Sequence, residues 1–205
     1  MVVIGLTGGI ATGKSTVAEI IKQFGIDVIS SDDLVHHLMK QGQPVYQQII
    51  LEFGEKIIDK SGNIDRKLLG EIVFADAELR RKLEAIVHPA VIQDIQRKIE
   101  AHRLIGTKLF VIEVPLLFEA GLKKMFDLIW VVSTTREQQM GRLQERNHLT
   151  ELEAENRISA QLPLKLKEEK ADAVIFNQQD TEYLKRRLKE LLMNLGVEPC
   201  KTDLK

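Results

Sequence analysis

Apolar positions along the chain follow two rhythms. Short continuous runs at residues 2–6, 27–29, 109–114, 128–132 and 173–176 are rich in Val and Ile, the pattern of strands buried on both faces. Between successive runs the apolar residues fall at helical spacing. Strands without a polar face, alternating with helices, predict an α/β fold: three layers, with a parallel five-stranded sheet flanked by helices.

The second and third runs are far apart in the chain. Residues 31–106 between them keep helical spacing, interrupted by one turn signal at Lys60-Ser61-Gly62-Asn63, and Pro44, Pro89 and Gly106 are expected to mark helix boundaries. A crossover of that length must carry structure of its own. It reads as a helical insertion over the C-terminal edge of the sheet, where ligands of open α/β sheets bind. After the fourth run, Thr135 with Gln138 and Thr150 with Glu153 both fit a capping box. They predict helices near 136–146 and 151–161 joined by a loop at Asn147-His148-Leu149. A last helix over 181–195 lines up Leu184, Leu188, Leu191, Leu192 and Leu195 for packing against the sheet. The expected division is one domain, with a core at about 1–30, 107–135 and 171–200, the insertion at 31–106 and a helical lid at 136–170.

Directly after the first run stands Gly8-Gly9-Ile10-Ala11-Thr12-Gly13-Lys14-Ser15, the pattern G-x-x-x-x-G-K-[ST], followed by an amphipathic segment. Strand, glycine loop and helix in that order are the context in which the pattern holds polyphosphate. Several backbone N–H groups must meet the phosphates at once, and Gly8 and Gly13 let the chain wrap closely enough. The expected ATP contacts run over Gly9, Ile10, Ala11, Thr12, Gly13, Lys14, Ser15 and Thr16. Lys14 would place its charge between the β and γ phosphates, and the Ser15 hydroxyl would bind Mg²⁺.

A triphosphate held this way points to phosphoryl transfer, which works by positioning and charge neutralisation. The second run ends in Ser30-Ser31-Asp32-Asp33. Asp32 is the candidate for orienting the acceptor hydroxyl and partly accepting its proton, with a helix N-cap as the alternative, while Asp33 reads as a cap. Glu113, at the end of the third run, is either a Mg²⁺ carboxylate, acting directly or through water, or a solvated strand-end acid. Arg136, Arg142, Arg146 and Arg157, followed by Lys165, Lys167 and Lys170, suit a lid that closes over phosphates and excludes water. Arg142 and Arg146, four apart, share a helix face and are the stronger candidates.

Bulk properties narrow the partners. A net charge of −1 over 205 residues argues against nucleic acid. No apolar stretch is long enough for a membrane span. The first run lacks a basic leader and reads as a core strand rather than a signal peptide. One cysteine, Cys200, leaves no internal disulfide framework. The default expectation is a cytoplasmic protein, a monomer or weak homo-oligomer. His36, His37, His88, His102 and His148 show no zinc spacing with cysteine, and His88 before Pro89 reads as a group at a helix boundary.

Beyond the loop, more particular segments recur: Gly5 to Ser15, Val28-Ile-Ser-Ser-Asp-Asp-Leu-Val-His36, Ile64-Asp-Arg66, Leu83-Glu-Ala-Ile-Val-His-Pro89, Val114-Pro-Leu-Leu-Phe-Glu-Ala-Gly121, Gln139-Met-Gly-Arg142, Arg157-Ile-Ser-Ala-Gln161 and Ala171-Asp-Ala-Val-Ile-Phe-Asn177. Together, in this order and to about residue 195, they resemble the dephospho-CoA kinase family. The resemblance implies transfer of the γ-phosphoryl group of ATP, with Mg²⁺, to the ribose 3′-hydroxyl of dephospho-CoA, the last step of coenzyme A synthesis. It also implies a nucleotide core, a helical CoA-binding part and a lid. By position, Asp32 resembles the catalytic carboxylate, and Lys14 and Arg142 resemble groups that contact the transferring phosphate. His36, Arg66 and His88 would belong to the acceptor side, Leu117, Phe118 and Glu119 would line the acceptor pocket, and Asn177 would sit by the adenine and ribose of ATP. Three positions depart from the family pattern: Ser30 stands where Asp is frequent, Glu113 is commonly Asp, and Phe176-Asn177-Gln178-Gln179 replaces the usual Asp-Asn-Ser/Asn-Gly. Two other readings of the same loop are another small-molecule kinase and a nucleotide-switched binding protein. The insertion with His88-Pro89 argues against the first, and the lack of an obvious water-positioning Gln beside the loop argues against the second.

Overall fold

The computed structural model describes residues 1–198, so Cys200 lies outside the described residues. The apolar runs become β1 (Val2–Gly8), β2 (Asp27–Ser30), β3 (Leu109–Glu113), β4 (Leu128–Ser133) and β5 (Ala173–Phe176). Helices intervene: α1 (Lys14–Gln23), α2 (Ser31–Leu38), α3 (Pro44–Phe53), α4 (Arg66–Ala75), α5 (Ala77–Leu104), α6 (Arg136–Asn147), α7 (Glu151–Ser159), α8 (Leu164–Glu169) and α9 (Thr181–Asn194). Among the described residues the strands form one parallel sheet in the order β2-β3-β1-β4-β5. The chain leaves β1 toward one edge and β3 toward the other, so the C-terminal ends of these neighbouring strands form the crevice where such sheets bind ligands.

Two compact units make up the chain: residues 31–101, and residues 1–30 together with 102 onward. The sheet belongs to the latter. One of its faces buries Ile4, Leu6, Val111, Trp130, Val132 and Ile175 against Val17, Ile20 and Ile21 of α1 and Leu184, Leu188 and Leu192 of α9. The opposite face has room for Leu117 and Phe126 only because position 5 is glycine. A Cβ there would lie 2.6 Å from the Leu117 side chain and 2.9 Å from the Phe126 ring.

The unit of residues 31–101 is helical. Its turn at Lys60-Ser61-Gly62-Asn63 forms as the sequence indicates, with the Asp59 carboxylate accepting from the amides of Ser61 and Asn63. An isolated antiparallel bridge, Ile58 to Ile64, closes it. Pro44 opens α3 and Gly106 follows α5, as expected. Pro89 does not mark a boundary: it lies inside the 28-residue α5, and His88 is therefore mid-helix. Proline removes one backbone donor and crowds the preceding turn. Val87, Val91, Ile95 and Ile99, however, form a continuous buried stripe across that point, and its burial holds the helix together. Asp33 also differs from expectation, because α2 already begins at Ser31 and places both Asp32 and Asp33 in its first turn. There their charge meets the positive end of the helix dipole instead of capping it.

Both predicted helices after β4 are present, but their caps differ. Thr150 and Glu153 form a complete capping box. Thr135 caps α6 through the amide of Gln138, yet the Gln138 side chain turns to the Thr134 hydroxyl, so only half the box forms. Among the described residues no helix is long and apolar enough to cross a membrane.

Leu188 is wholly buried against the sheet, whereas Met193 of the same helix is 57% exposed. Leu188→Ala is expected to lower unfolding free energy by about 2–5 kcal/mol. Met193→Ala should stay within about 0.5 kcal/mol of the parent. Urea unfolding followed by circular dichroism measures both.

Candidate active site at the phosphate loop

The turn between β1 and α1 is shaped by backbone that only particular residues tolerate. At Gly8 a Cβ would lie 2.3 Å from the carbonyl oxygen of Val132, so β4 can approach only a glycine. Gly13 sits at φ +91°, where a Cβ would meet Asn177 Nδ2 at 2.0 Å. Ala11 is held at φ 58°, a left-handed conformation that costs a non-glycine residue about 1–2 kcal/mol. Something must hold the loop in this form.

What holds it is a set of donors aimed at its carbonyls. The oxygen of Gly8 faces Lys167 Nζ at 3.4 Å. That of Gly9 accepts from Lys14 Nζ at 2.8 Å and from the Thr12 hydroxyl at 3.0 Å. Gln139 Nε2 donates to Ile10 at 2.7 Å. Arg142 Nη1 donates to Ala11 at 3.2 Å and to Thr12 at 3.3 Å, and Asn177 Nδ2 donates to Thr12 at 2.8 Å. Each carbonyl from Gly8 through Thr12 is thus held by a side chain. In a trans peptide the carbonyl and the following N–H point opposite ways. Successive amides therefore turn away from these donors, the condition for a backbone anion nest. Two amides are exceptions: Ile10 N–H donates to Gln161 Oε1 at 2.8 Å and Thr12 N–H to the Gly9 carbonyl at 3.4 Å. The Ile10 and Ala11 side chains pack against Leu143, Ala154 and Ile158 of α6 and α7, gripping the loop from the apolar side as well.

Of the residues expected at the nucleotide, Lys14, Arg142 and Asn177 converge on the loop. Arg142 and Asn177 are tied to each other, because Arg142 Nη2 donates to the Asn177 carbonyl at 3.1 Å. That carbonyl also accepts from the Thr134 hydroxyl at 3.0 Å. Asn177, 7% exposed, braces the loop with its amide. Beside it opens a cavity of about 510 Å³ lined by Ala11, Gly13, Thr16, Arg142, Arg146 and Gln179 among others. A second cavity of about 530 Å³ is bordered by Gly9, Gln139, Gln161, Leu162 and Lys165.

Ser15 is the second residue of α1, at its positive end. Glu113 closes β3 in register with Leu6 and Ser30, and at 9% exposure it is no solvated strand-end acid. After β3 the chain turns back, and Leu117 is wholly buried against Gly5. It is a core residue here, not a lining one. Phe118 is half-buried. Glu119 Oε1 accepts from Lys167 Nζ at 2.7 Å and from the Leu162 amide at 3.0 Å. Partial burial pushes the Glu119 carboxyl up, but the bonds from Lys167, from its own backbone and from Leu162 outweigh it. They hold the group below the ordinary glutamate value. Arg136, among the expected lid cations, is paired with Glu155 of α7.

Within residues 31–101, Asp32 and His36 are one turn apart on α2, and both are exposed. The Asp65 carboxylate caps α4 through the amides of Lys67 and Leu68, which sets the exposed Arg66 as the first helical residue. His88 is exposed along α5.

Gln139 and Gln161 are loop-holding residues that the sequence reading did not single out, and Lys167, expected there as a lid cation, is instead buried against Glu119 and the Gly8 carbonyl. For Gln139 a signal exists: it falls one turn before the buried Leu143, so a polar side chain occupies the buried phase of α6. A polar group in that position needs a partner inside.

Comparison with known proteins places this geometry. A family model described as dephospho-CoA kinase matches residues 2–182. A dephospho-CoA kinase from Geobacillus kaustophilus is 47% identical over 189 residues, covering 92% of this chain and 94% of that one. Among solved structures, a Thermus thermophilus protein superposes with a TM-score of 0.80 at 31% identity, over 95% of this chain and 97% of that one. A dephospho-CoA kinase from Campylobacter jejuni gives 0.72 at 29% identity, over 94% and 96%.

Because the Glu119 carboxyl titrates lower in the folded chain than in the unfolded one, its ionised form stabilises the fold at neutral pH. That contribution is lost as pH falls below about 4.3 and through the folded value. Glu119→Gln should therefore melt below the parent at pH 7, with the gap holding down to about pH 4.3 and closing only below it. A gap that kept its size below that pH would contradict the assignment.

Proposed function

The chain belongs to the dephospho-CoA kinase family and is an ATP-dependent kinase, and from that premise we propose that it transfers the γ-phosphoryl group of ATP to the ribose 3′-hydroxyl of dephospho-CoA, yielding coenzyme A and ADP. The observation that carries this reading is the run of side-chain-held carbonyls from Gly8 to Thr12, which turns loop amides toward a polyphosphate tail, with the Lys14 ammonium held beside them at the Gly9 carbonyl. Adenosine fits the cavity lined by Gly13, Thr16, Arg142 and Gln179. Asn177 acts there through the loop as much as on the nucleoside.

The donors for the cation that accompanies ATP are the Ser15 hydroxyl and the buried Glu113 carboxylate, both hard oxygen ligands that suit Mg²⁺. Mg²⁺ there would neutralise charge on the β and γ phosphates. Lys14 exchanges the Gly9 carbonyl for phosphate oxygen as the nucleotide enters, and Arg142 supplies fixed positive charge beside it. Asp32 orients the acceptor hydroxyl and takes up its proton, and His36, Arg66 and His88 serve the acceptor. Phe118 contributes to the acceptor pocket. Residues 136–170 act as a lid that keeps water from the γ phosphate. The reading places the reaction in the cytoplasm.

A coupled ADP assay with dephospho-CoA, adenosine, AMP or no acceptor tests the assignment, and only dephospho-CoA should sustain turnover. ADP release at the same rate without an acceptor would refute it. Lys14→Ala should lower kcat/KM by on the order of 10³-fold, through loss of charge stabilisation at the transferring group. Asp32→Asn should depress kcat while ATP binding, read by calorimetry, is retained.

A further inference from the structure

Lys167 is the one charged side chain among the described residues with no exposure at all. Its neighbours Lys165 and Lys170 remain in contact with solvent. An ammonium taken out of water needs a counter-charge and acceptors for its protons. Glu119 Oε1 at 2.7 Å supplies the charge. The next acceptor is the Gly8 carbonyl at 3.4 Å, a long contact in which charge is drawn to a peptide dipole.

Gly8 is where β1 ends and the loop begins, and the Val132 carbonyl of β4 lies where a Cβ on this residue would stand. With the Gly8 oxygen drawn toward Lys167, the N–H of Gly9 in the same peptide must point the opposite way. One ammonium thereby sets the plane of the loop's first peptide. Three segments meet at it: the strand-to-loop junction at Gly8, the turn after β3 through Glu119, and residues 162–167, where the Leu162 amide also binds Glu119. Beside it, Glu168 accepts from the Ser133 hydroxyl and fixes α8 to the end of β4.

We propose that Lys167 is a positioning residue for phosphoryl transfer: without touching either substrate, it holds the entrance of the phosphate loop in the geometry that receives ATP and ties it to Glu119. The proposal rests on the kinase reading, but its primary measurement is ATP affinity in the absence of acceptor. Failure of the acceptor assignment would therefore not be mistaken for failure here.

The experiment compares Lys167→Met, Glu119→Gln and the double variant. Calorimetry with Mg·ATP alone reads the loop, thermal melting reads the fold, and the coupled assay reads KM for dephospho-CoA. Lys167→Met leaves Glu119 without its counter-charge, so its melting temperature falls, and the double variant, with neither charge, should recover most of that loss. ATP affinity should remain weakened by on the order of 10-fold to 100-fold in both Lys167→Met and the double variant, as expected for a displaced binding loop. KM for dephospho-CoA in Lys167→Met should stay within about twofold of the parent, since the displaced loop meets ATP and not the acceptor. Recovery of ATP affinity together with melting temperature in the double variant would overturn the proposal, because Lys167 would then only neutralise Glu119. A proportional fall of affinity and melting temperature through all three variants would also overturn it. If Lys167→Met alone does not fold, the double variant carries the same test.

Discussion

A chain that receives polyphosphate through backbone amides must turn the matching carbonyls the other way, and something must accept the duty of bonding them. Water could do so for a mobile loop, but here protein donors do it. Each such bond contributes about 0.5–1.5 kcal/mol, and a buried carbonyl left without one costs about 1–3 kcal/mol. Summed over the loop, these are enough to offset the left-handed Ala11. Only part of the loop's shape, that set by Lys14 and Thr12 at the Gly9 carbonyl, is a local property of Gly-x-x-x-x-Gly-Lys-Ser. The rest is written by α6, by α8 and by the residue following β5, all of which must be in place before the amides face a common point.

Sheet order makes that supply possible. β4 lies next to β1 and β5 next to β4, so the segments leaving β4 and β5 emerge beside the loop. Asn177 is fixed there by its own amide, which donates to the Ser133 carbonyl at 2.7 Å as a continuation of the β4–β5 ladder. Thr134 then holds the Asn177 carbonyl, and Arg142, one helix further on, shares it. The same closeness explains two of the glycines. Gly8 lets the Val132 carbonyl approach β1, and Gly13 leaves room for the Asn177 amide that braces Thr12. Packing and site are one set of contacts seen from two sides.

What could be read from the sequence follows from how local each cause is. The central strands β1, β3 and β4 were legible because a strand buried on both faces must be apolar throughout, the less buried edge strands β2 and β5 from their short Val and Ile runs, and the phosphate loop because its chemistry needs fixed residue types at fixed offsets. The Thr150–Glu153 box was legible for the same reason, as both partners lie within one turn. Pro89 was misleading, because a local rule about one missing donor gave way to the buried stripe from Val87 to Ile99. Leu117 was misleading too, since a motif position says nothing about which way a turn folds back, and Gly5 opened a place for that side chain in the core. Gln139 and Lys167 act across sequence separations of 129 and 159 residues. In the sequence Lys167 looks no different from Lys165 or Lys170, and only packing separates a buried ammonium from two wet ones.

That separation changes how the cations after β4 should be understood. Helical spacing makes Arg142 and Arg146 equivalent, but their surroundings do not. Arg142 is immobilised by three carbonyls, those of Ala11, Thr12 and Asn177, whereas Arg146 borders the cavity and bonds the Asn147 side chain. A guanidinium already fixed by backbone oxygens keeps its full charge, and it needs no rearrangement when negative charge develops nearby. Holding the loop and neutralising phosphate are thus compatible tasks for Arg142, because the carbonyls take its protons in place and its field still reaches the nest. Arg146, if it meets the nucleotide, would have to be recruited and would lose rotamer entropy on engaging it. Preorganised charge at Arg142 and recruitable charge at Arg146 would divide the work between the chemical step and nucleotide capture.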